Sequence, residues 1–144
     1  MSGDGLFDIV RIRNGEVCYW PNLGHGRFGP KIRMANAPWF DQQDRFDPAR
    51  IKFADVDGSG SSDLLYLGTD GIQCWKNQSG DRWSESEKIP FHAIHDPSKF
   101  SVVDLMANGT SCLVWLDEAP ANPAKPLRYI HLAGAPPLLS LIHI

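Results

Sequence analysis

Apolar and polar positions alternate along this chain in short runs, and the runs are bounded by turn residues. Asp8-Ile9-Val10-Arg11-Ile12-Arg13 ends in alternation, Asn14-Gly15 follows, and Glu16-Val17-Cys18-Tyr19-Trp20 comes next. Asn-Gly between two such runs is a strong hairpin signal, because both turn residues must take positive φ. The pattern returns as Leu64 to Gly68, a turn at Thr69-Asp70-Gly71, and Ile72 to Trp75. Leu127 to Leu132 is a further expected strand. No window of helix length carries a clean 3.6-residue period. The stretch from Asn36 to Arg50 contains Pro38 and Pro48 and no strand pattern, so it is expected to be a long connection with one short helical turn.

The chain repeats itself. At an offset of 55 residues, Gly58, Gly60 and Asp63 fall on Gly3, Gly5 and Asp8. In the same register Leu64-Leu65-Tyr66-Leu67 falls on Ile9-Val10-Arg11-Ile12, Trp75 on Trp20, Asn77 on Asn22 and Trp83 on Phe28. A weaker third copy lies at an offset of 49, where Asp55 maps to Asp104, Gly60 to Gly109, and Leu64-Leu65-Tyr66 to Leu113-Val114-Trp115. A period of roughly 50 residues made of short strands is that of a four-stranded propeller blade. The expected fold is therefore all-β, a partial β-propeller of two to three blades over residues 1–134. A closed propeller has about 4–8 blades, so two to three are a part of one. Residues 119–126 hold three prolines and are expected to be a loop, and residues 135–144 form an atypical apolar tail.

Composition adds few restrictions. The 144 residues are 42% hydrophobic, with a formal net charge of −3 and no Lys/Arg run, which gives no electrostatic basis for capturing nucleic acid. No stretch approaches the ~20 apolar residues of a membrane-spanning helix, and Met1 to Gly5 has neither the basic nor the apolar region of a signal peptide. Cys18, Cys74 and Cys112 form no Cys-x-x-Cys pair and are expected to be small buried hydrophobes.

The sharpest chemical motif is Asp55-x-Asp57-Gly58-Ser59-Gly60-Ser61-Ser62-Asp63. A hard cation such as Ca²⁺ takes six to eight oxygens, and carboxylates at alternate loop positions around a glycine turn can supply them. The candidate ligands are Asp55, Asp57, Ser59 and Asp63 through side chains and Ser61 through its carbonyl. The first five ligand positions match an EF-hand loop, but the twelfth is Tyr66, not Glu, so the expected site joins two strands. A weaker second loop offers Ser2, Asp4 and Asp8. In the third copy Met106 and Cys112 replace two donors, so no hard metal is expected there. The competing expectation for all three is a turn that holds itself by side-chain-to-backbone bonds.

Other motifs carry less. Gly24-His25-Gly26-Arg27-Phe28-Gly29 matches G-x-G-x-x-G but lacks the strand–helix context of a dinucleotide site, and is expected to be a turn with Phe28 packed inward. His92-x-x-His95-Asp96 lies between prolines and is expected to be surface decoration. No nucleophile elbow or nucleophile–base pair is evident, so no enzyme is expected. Of the five tryptophans, those at repeat-equivalent positions are expected to pack between blades.

The stretches 2–10 and 55–68 resemble FG-GAP/VCBS repeats, the integrin-α-type propeller unit. Gly15-Glu16-Val17-Cys18-Tyr19-Trp20-Pro21-Asn22-Leu23-Gly24 and Asn36-Ala37-Pro38-Trp39-Phe40-Asp41 are similar to the middle/N-terminal region of the B component of insecticidal toxin complexes (Tc toxins). That region is shared with virulence-plasmid protein B-like and rearrangement-hotspot (RHS) toxins. Asn77 to Gly80 and Gly109 to Trp115 extend the likeness, which runs from about residue 2 to 134. The resemblance implies a secreted bacterial toxin whose propeller docks on the pore-forming A component and gates toxin release. The B and C components together form its shell, and catalysis is left to the C component. It implies contact with those subunits and no direct membrane insertion. The alternative is an FG-GAP adhesion or ligand-binding protein of a cell surface.

Overall fold

The computed structural model describes residues 1–117 and 127–133. The expected linker at 119–126 and the tail at 135–144 lie outside the described residues. Within them the chain is all-β, with two single 3₁₀ turns and no α-helix. Three antiparallel sheets follow one another along the chain.

The first contains β1 (Ile9–Arg13), β2 (Glu16–Trp20) and β5 (Ile32–Arg33) in the order β1-β2-β5. Between β2 and β5 the chain makes a small separate hairpin of β3 (Asn22–Gly24) and β4 (Arg27–Phe28). The second sheet contains β6 (Ile51–Ala54), β7 (Asp63–Gly68), β8 (Gly71–Trp75) and β11 (Glu87–Ile89) in the order β11-β8-β7-β6. It carries the same small hairpin, β9 (Asn77–Gln78) with β10 (Arg82–Trp83). The third contains β12 (Phe100–Val103), β13 (Cys112–Leu116) and β14 (Leu127–His131) in the order β12-β13-β14.

The sequence repeat is a structural one. At the offset of 55, β8 falls on β2 and β10 on β4 residue for residue, while β7, β9 and β11 overlap β1, β3 and β5. At the offset of 49, β12 falls on β6 residue for residue and β13 on β7. The offset lengthens before β14, because the β13–β14 connection is longer than the two-residue turn Thr69-Asp70 between β7 and β8.

Strand alternation explains how the units stack. On the second sheet Leu64, Tyr66 and Trp75 face the first unit and pack with Val17, Tyr19, Met34 and Phe40. Leu65, Leu67, Ile72 and Cys74 face the other way and pack with Leu113, Trp115, Ile130 and Phe100 of the third unit. Covered on both faces, β7 is buried at every residue, and its sequence is accordingly a continuous apolar run, not an alternating one. A parallel bridge from Ala35 to Arg82 joins units one and two along their edges, with Trp83 N–H donating to the Ala35 carbonyl at 3.0 Å.

The connections are specific as well. Asp47 Oδ1 accepts from Ala49 N–H at 2.9 Å and starts the 3₁₀ turn Pro48–Arg50. Asp96 repeats this, accepting from Ser98 N–H at 3.0 Å ahead of Pro97–Lys99. Proline fits the first position because its missing N–H would be unpaired there. Arg50 Nη1 donates to the carbonyls of Leu67 and Ile94, both at 2.7 Å, tying unit two to the next connection. Asn14 fixes the first connection, donating to the Asp41 carbonyl and accepting from Phe40 N–H, each at 2.9 Å. Phe40 then lies in an aromatic cluster with Phe46, Tyr66 and Trp75.

Candidate functional site

The three Asp/Gly/Ser loops lie side by side at one end of the stack. A Cβ at Gly3 would come within 3.3 Å of Ser61 Oγ, and one at Gly58 within 3.4 Å of Thr110 Cγ2. Asp55 N–H donates to Ser111 Oγ at 2.9 Å and Ser111 N–H to the Asp55 carbonyl at 2.7 Å, linking the second loop to the third.

The middle loop gathers its charges. Asp55, Asp57 and Asp63 each offer a carboxylate oxygen, and these lie within 4.8 Å of one another; among the described residues no other such group of three occurs. Asp55 accepts from Gly58 N–H (2.8 Å) and Ser59 N–H (3.1 Å) through Oδ1 and from Gly60 N–H (2.8 Å) through Oδ2. Asp57 Oδ1 accepts from Ser59 N–H at 2.9 Å, and Ser59 Oγ from Ser61 N–H at 3.3 Å. Asp63 is wholly buried, with Oδ2 accepting from Val56 N–H at 2.9 Å and Oδ1 from Asn77 N–H at 2.7 Å.

The electrostatics separate these acids. Burial, opposed by the two backbone bonds and reinforced by the charges of Asp57 and Asp55, pushes the Asp63 carboxyl up to about 6. Burial acts upward on Asp57 too, yet bonds from Ser59 hold its carboxyl below the ordinary value. Three converging acids, one of them destabilised as an anion chiefly by burial and further by the other two, suit a hard cation. Asp55 Oδ1 already accepts two bonds, but Asp55 Oδ2 and both Asp63 oxygens accept one each and retain a second lone pair, so the donor set is compatible with Ca²⁺.

The other loops show what persists without that cluster. Asp8 Oδ1 accepts from Asn22 N–H at 2.9 Å, as Asp63 does from Asn77. Asp8 Oδ2 accepts from the Met1 amine at 2.6 Å, in the place of Val56 N–H, and from Ser2 N–H at 3.3 Å. Burial raises the Asp8 carboxyl, and the amine and backbone donors outweigh it and bring it below the ordinary value. Asp4 Oδ1 accepts from Leu6 N–H at 3.0 Å, matching Ser59 with Ser61 and Asn108 with Thr110. In the third loop Asp104 accepts from Asn108 and Gly109 N–H at 3.1 and 2.9 Å, the counterparts of Ser59 and Gly60 on Asp55. Ala107 there takes φ 52°, where Gly58 has 75°, a conformation that costs a residue with a Cβ about 1 kcal/mol. The turn is thus a constant of the repeat, and the carboxylate cluster belongs to the middle copy.

Several sequence expectations meet the structure directly. The three cysteines are buried free thiols, and burial pushes Cys74 up to about 12. Gly24 to Gly29 lies in and after the β3–β4 hairpin, with no helix beside it. Phe28 does not pack inward: it is 43% exposed, whereas its counterpart Trp83 is 1% exposed. The difference is cover, since Ala35 lies against β10 and, among the described residues, no such bridge lies against β4. Trp75, Trp83 and Trp115 are buried between units, but Trp20, the counterpart of Trp75, is only partly buried and joins no core cluster, and Trp39 is 64% exposed above Gly15. His92 stacks on Phe91, with ring centroids 4.0 Å apart, and joins no acid cluster among the described residues. The periodic match of Asn22 and Asn77 gives no hint of their role. Each side chain also donates to a carbonyl, of Phe7 and Ser62 respectively, both at 3.1 Å.

No helix among the described residues is long and apolar enough to cross a membrane. No family profile matches the chain, and no curated protein sequence does. Solved structures do. The chain is similar to the crystal structure of TcdB2-TccC3, with 28% identity and a TM-score of 0.80 over 96% of its own length. It is likewise similar to a chain of the Photorhabdus luminescens Tc holotoxin pore, with 28% identity and a TM-score of 0.68 over 88% of its length. It spans only 6% of each of those chains. An Agrocybe aegerita lectin shares the fold at 19% identity, with a TM-score of 0.68 over 94% of this chain and 34% of that one. By sequence and fold together, the chain resembles one small section of Tc toxin proteins.

Proposed function

We propose that residues 1–134 are FG-GAP-type blades in the β-propeller of a Tc-type toxin B component. The propeller docks on the pore-forming A component and gates release of a toxin enclosed with the C component. The chain itself is non-catalytic and works by protein contact, as part of a secreted assembly. What supports this reading is the similarity to TcdB2-TccC3 across 96% of the chain, joined to a threefold stack of sheets with one unit per repeat. In this role Ca²⁺ held by Asp55, Asp57 and Asp63, with Ser59 and the Ser61 carbonyl, stiffens the end of one blade; Ser2, Asp4 and Asp8 form a weaker counterpart.

The test uses the longest natural chain containing this sequence, mixed with its pore-forming subunit and run on size exclusion. A stoichiometric complex is expected. A parent chain that has no shell-forming or RHS-like region, or that fails to bind the pore-forming subunit, would overturn the assignment.

A further inference from the structure

One cavity between units one and two is polar where the repeat is otherwise apolar. It measures about 230 Å³ and lies where the connection at 36–50 passes the β7–β8 turn, at the opposite end of the strands from the Asp/Gly/Ser loops. Its wall includes Phe40, Asp41, Arg45, Tyr66, Asp70 and Gln73. Gln73 pairs across the strands with Tyr66 and so shares the face toward unit one with Tyr66, Leu64 and Trp75. At the offset of 55 its place is taken by Cys18, a wholly buried thiol. Gln73 Oε1 is buried too, yet it meets no donor, which costs an amide carbonyl free energy until a partner supplies the hydrogen bond. The polar groups of the connection are equally local. At the offset of 49, which matches Asp47-Pro48 to Asp96-Pro97, Asp41 falls on Pro90 and Arg45 on the buried Ile94. The same two positions are therefore apolar at the next boundary.

The charges around this cavity balance. Arg45 Nη2 donates to Thr69 Oγ1 at 3.0 Å, and its Nε lies 3.9 Å from Asp41 Oδ1. Lys88 Nζ lies 3.4 Å from Asp70 Oδ2. Two carboxylates and two cations leave no net charge to draw an ion of either sign. What they do offer is acceptors on Asp41, Asp70 and Gln73 beside donors on Arg45. A neutral molecule with several hydroxyls, each able to donate and accept, fits that set. The volume lies below the ~300–1,000 Å³ of sites for drug-sized ligands, so there is room for one small ring. We infer that this cavity binds a single neutral monosaccharide. Gln73 Oε1 and the Asp41 and Asp70 carboxylates accept from its hydroxyls, Arg45 donates to them, and Phe40 and Tyr66 form the apolar wall. The site belongs to the chain itself, whether or not the chain works in a toxin.

Saturation-transfer NMR on the longest natural chain containing this sequence tests this. The probes are D-glucose, D-galactose, D-mannose and their 2-acetamido derivatives, with methylguanidinium and inorganic phosphate as charged controls. At least one sugar is expected to bind, and Gln73→Leu and Asp70→Ala are each expected to weaken it roughly tenfold or more. The Asp70 side chain is 78% exposed in a two-residue turn, so Asp70→Ala reads the site even where Gln73→Leu unfolds the chain. The inference is overturned if no sugar binds, or if sugar binding is weakened by neither variant. It is also overturned if a charged control binds in place of the sugars and both variants remove it.

Discussion

Asp63 Oδ1 accepts the backbone N–H of Asn77 at 2.7 Å, and one repeat earlier Asp8 accepts that of Asn22 at 2.9 Å. The bond pins the loop before a unit's second strand to the small hairpin after its third. Its recurrence makes Asp63 a fold-holding residue first, and the proposed cation ligation comes only in addition.

Removing it is therefore expected to be costly with no metal present. Asp63→Ala leaves the Val56 and Asn77 N–H groups buried without an acceptor, which costs about 2–4 kcal/mol. Asp104→Ala, whose bonds lie in an exposed loop, is expected to cost about 1 kcal/mol or less. Urea unfolding of the two variants in chelator checks the order.

The pH dependence follows from the raised carboxyl of Asp63. An unfolded Asp titrates near 3.9, the folded one near 6. Between those values the folded state holds the extra proton, so this residue's contribution falls as pH rises from about 4 to 6, by on the order of 3 kcal/mol. Asp8, Asp57 and Asp96, held low, act in the opposite sense and lose their contribution as pH falls. The stability difference between the native chain and Asp63→Asn, measured across pH 4–7 without calcium, isolates the Asp63 slope; a flat difference contradicts it.

The tighter calcium binding is expected to need the middle loop. Isothermal titration should show a tight phase that Asp57→Ala abolishes and Asp104→Ala leaves unchanged, with at most a weaker phase left from Ser2, Asp4 and Asp8. Absence of calcium-dependent heat would leave the loop as a self-bonded turn.

Equivalent positions should differ in cost according to their cover. Trp83→Ala empties a site packed between two units and is expected to lose about 3–5 kcal/mol. Phe28→Ala, at the same repeat position but half in solvent, is expected to lose under about 1 kcal/mol in the 144-residue chain. Parallel denaturation curves settle the comparison.

Much of this architecture is legible in the sequence, because hairpins and their spacing are local features. Asn14-Gly15 marks the first turn, and the match of Trp83 to Phe28 marks β10 and β4. Burial is less legible. Phe28 is apolar like Trp83, but its burial depends on a neighbour in space, which no local pattern reports. The paired caps Asp47-Pro48 and Asp96-Pro97 are readable at the offset of 49, yet His92 and His95 dominate the stretch before Asp96 and hide the match. The loop motif draws attention to its acids as ligands. Their backbone bonds, which recur where the acids cluster and where they do not, become visible only with the three loops side by side.

The most direct measurement is an electron cryomicroscopy structure of the longest natural chain containing this sequence, bound to its pore-forming subunit. The account predicts the units at β1–β5, β6–β11 and β12–β14 as adjacent blades of one closed ring, with Phe28 covered by a further unit and the ring facing the pore-forming subunit. An open stack with Phe28 in solvent, or a ring turned away from that subunit, would contradict it.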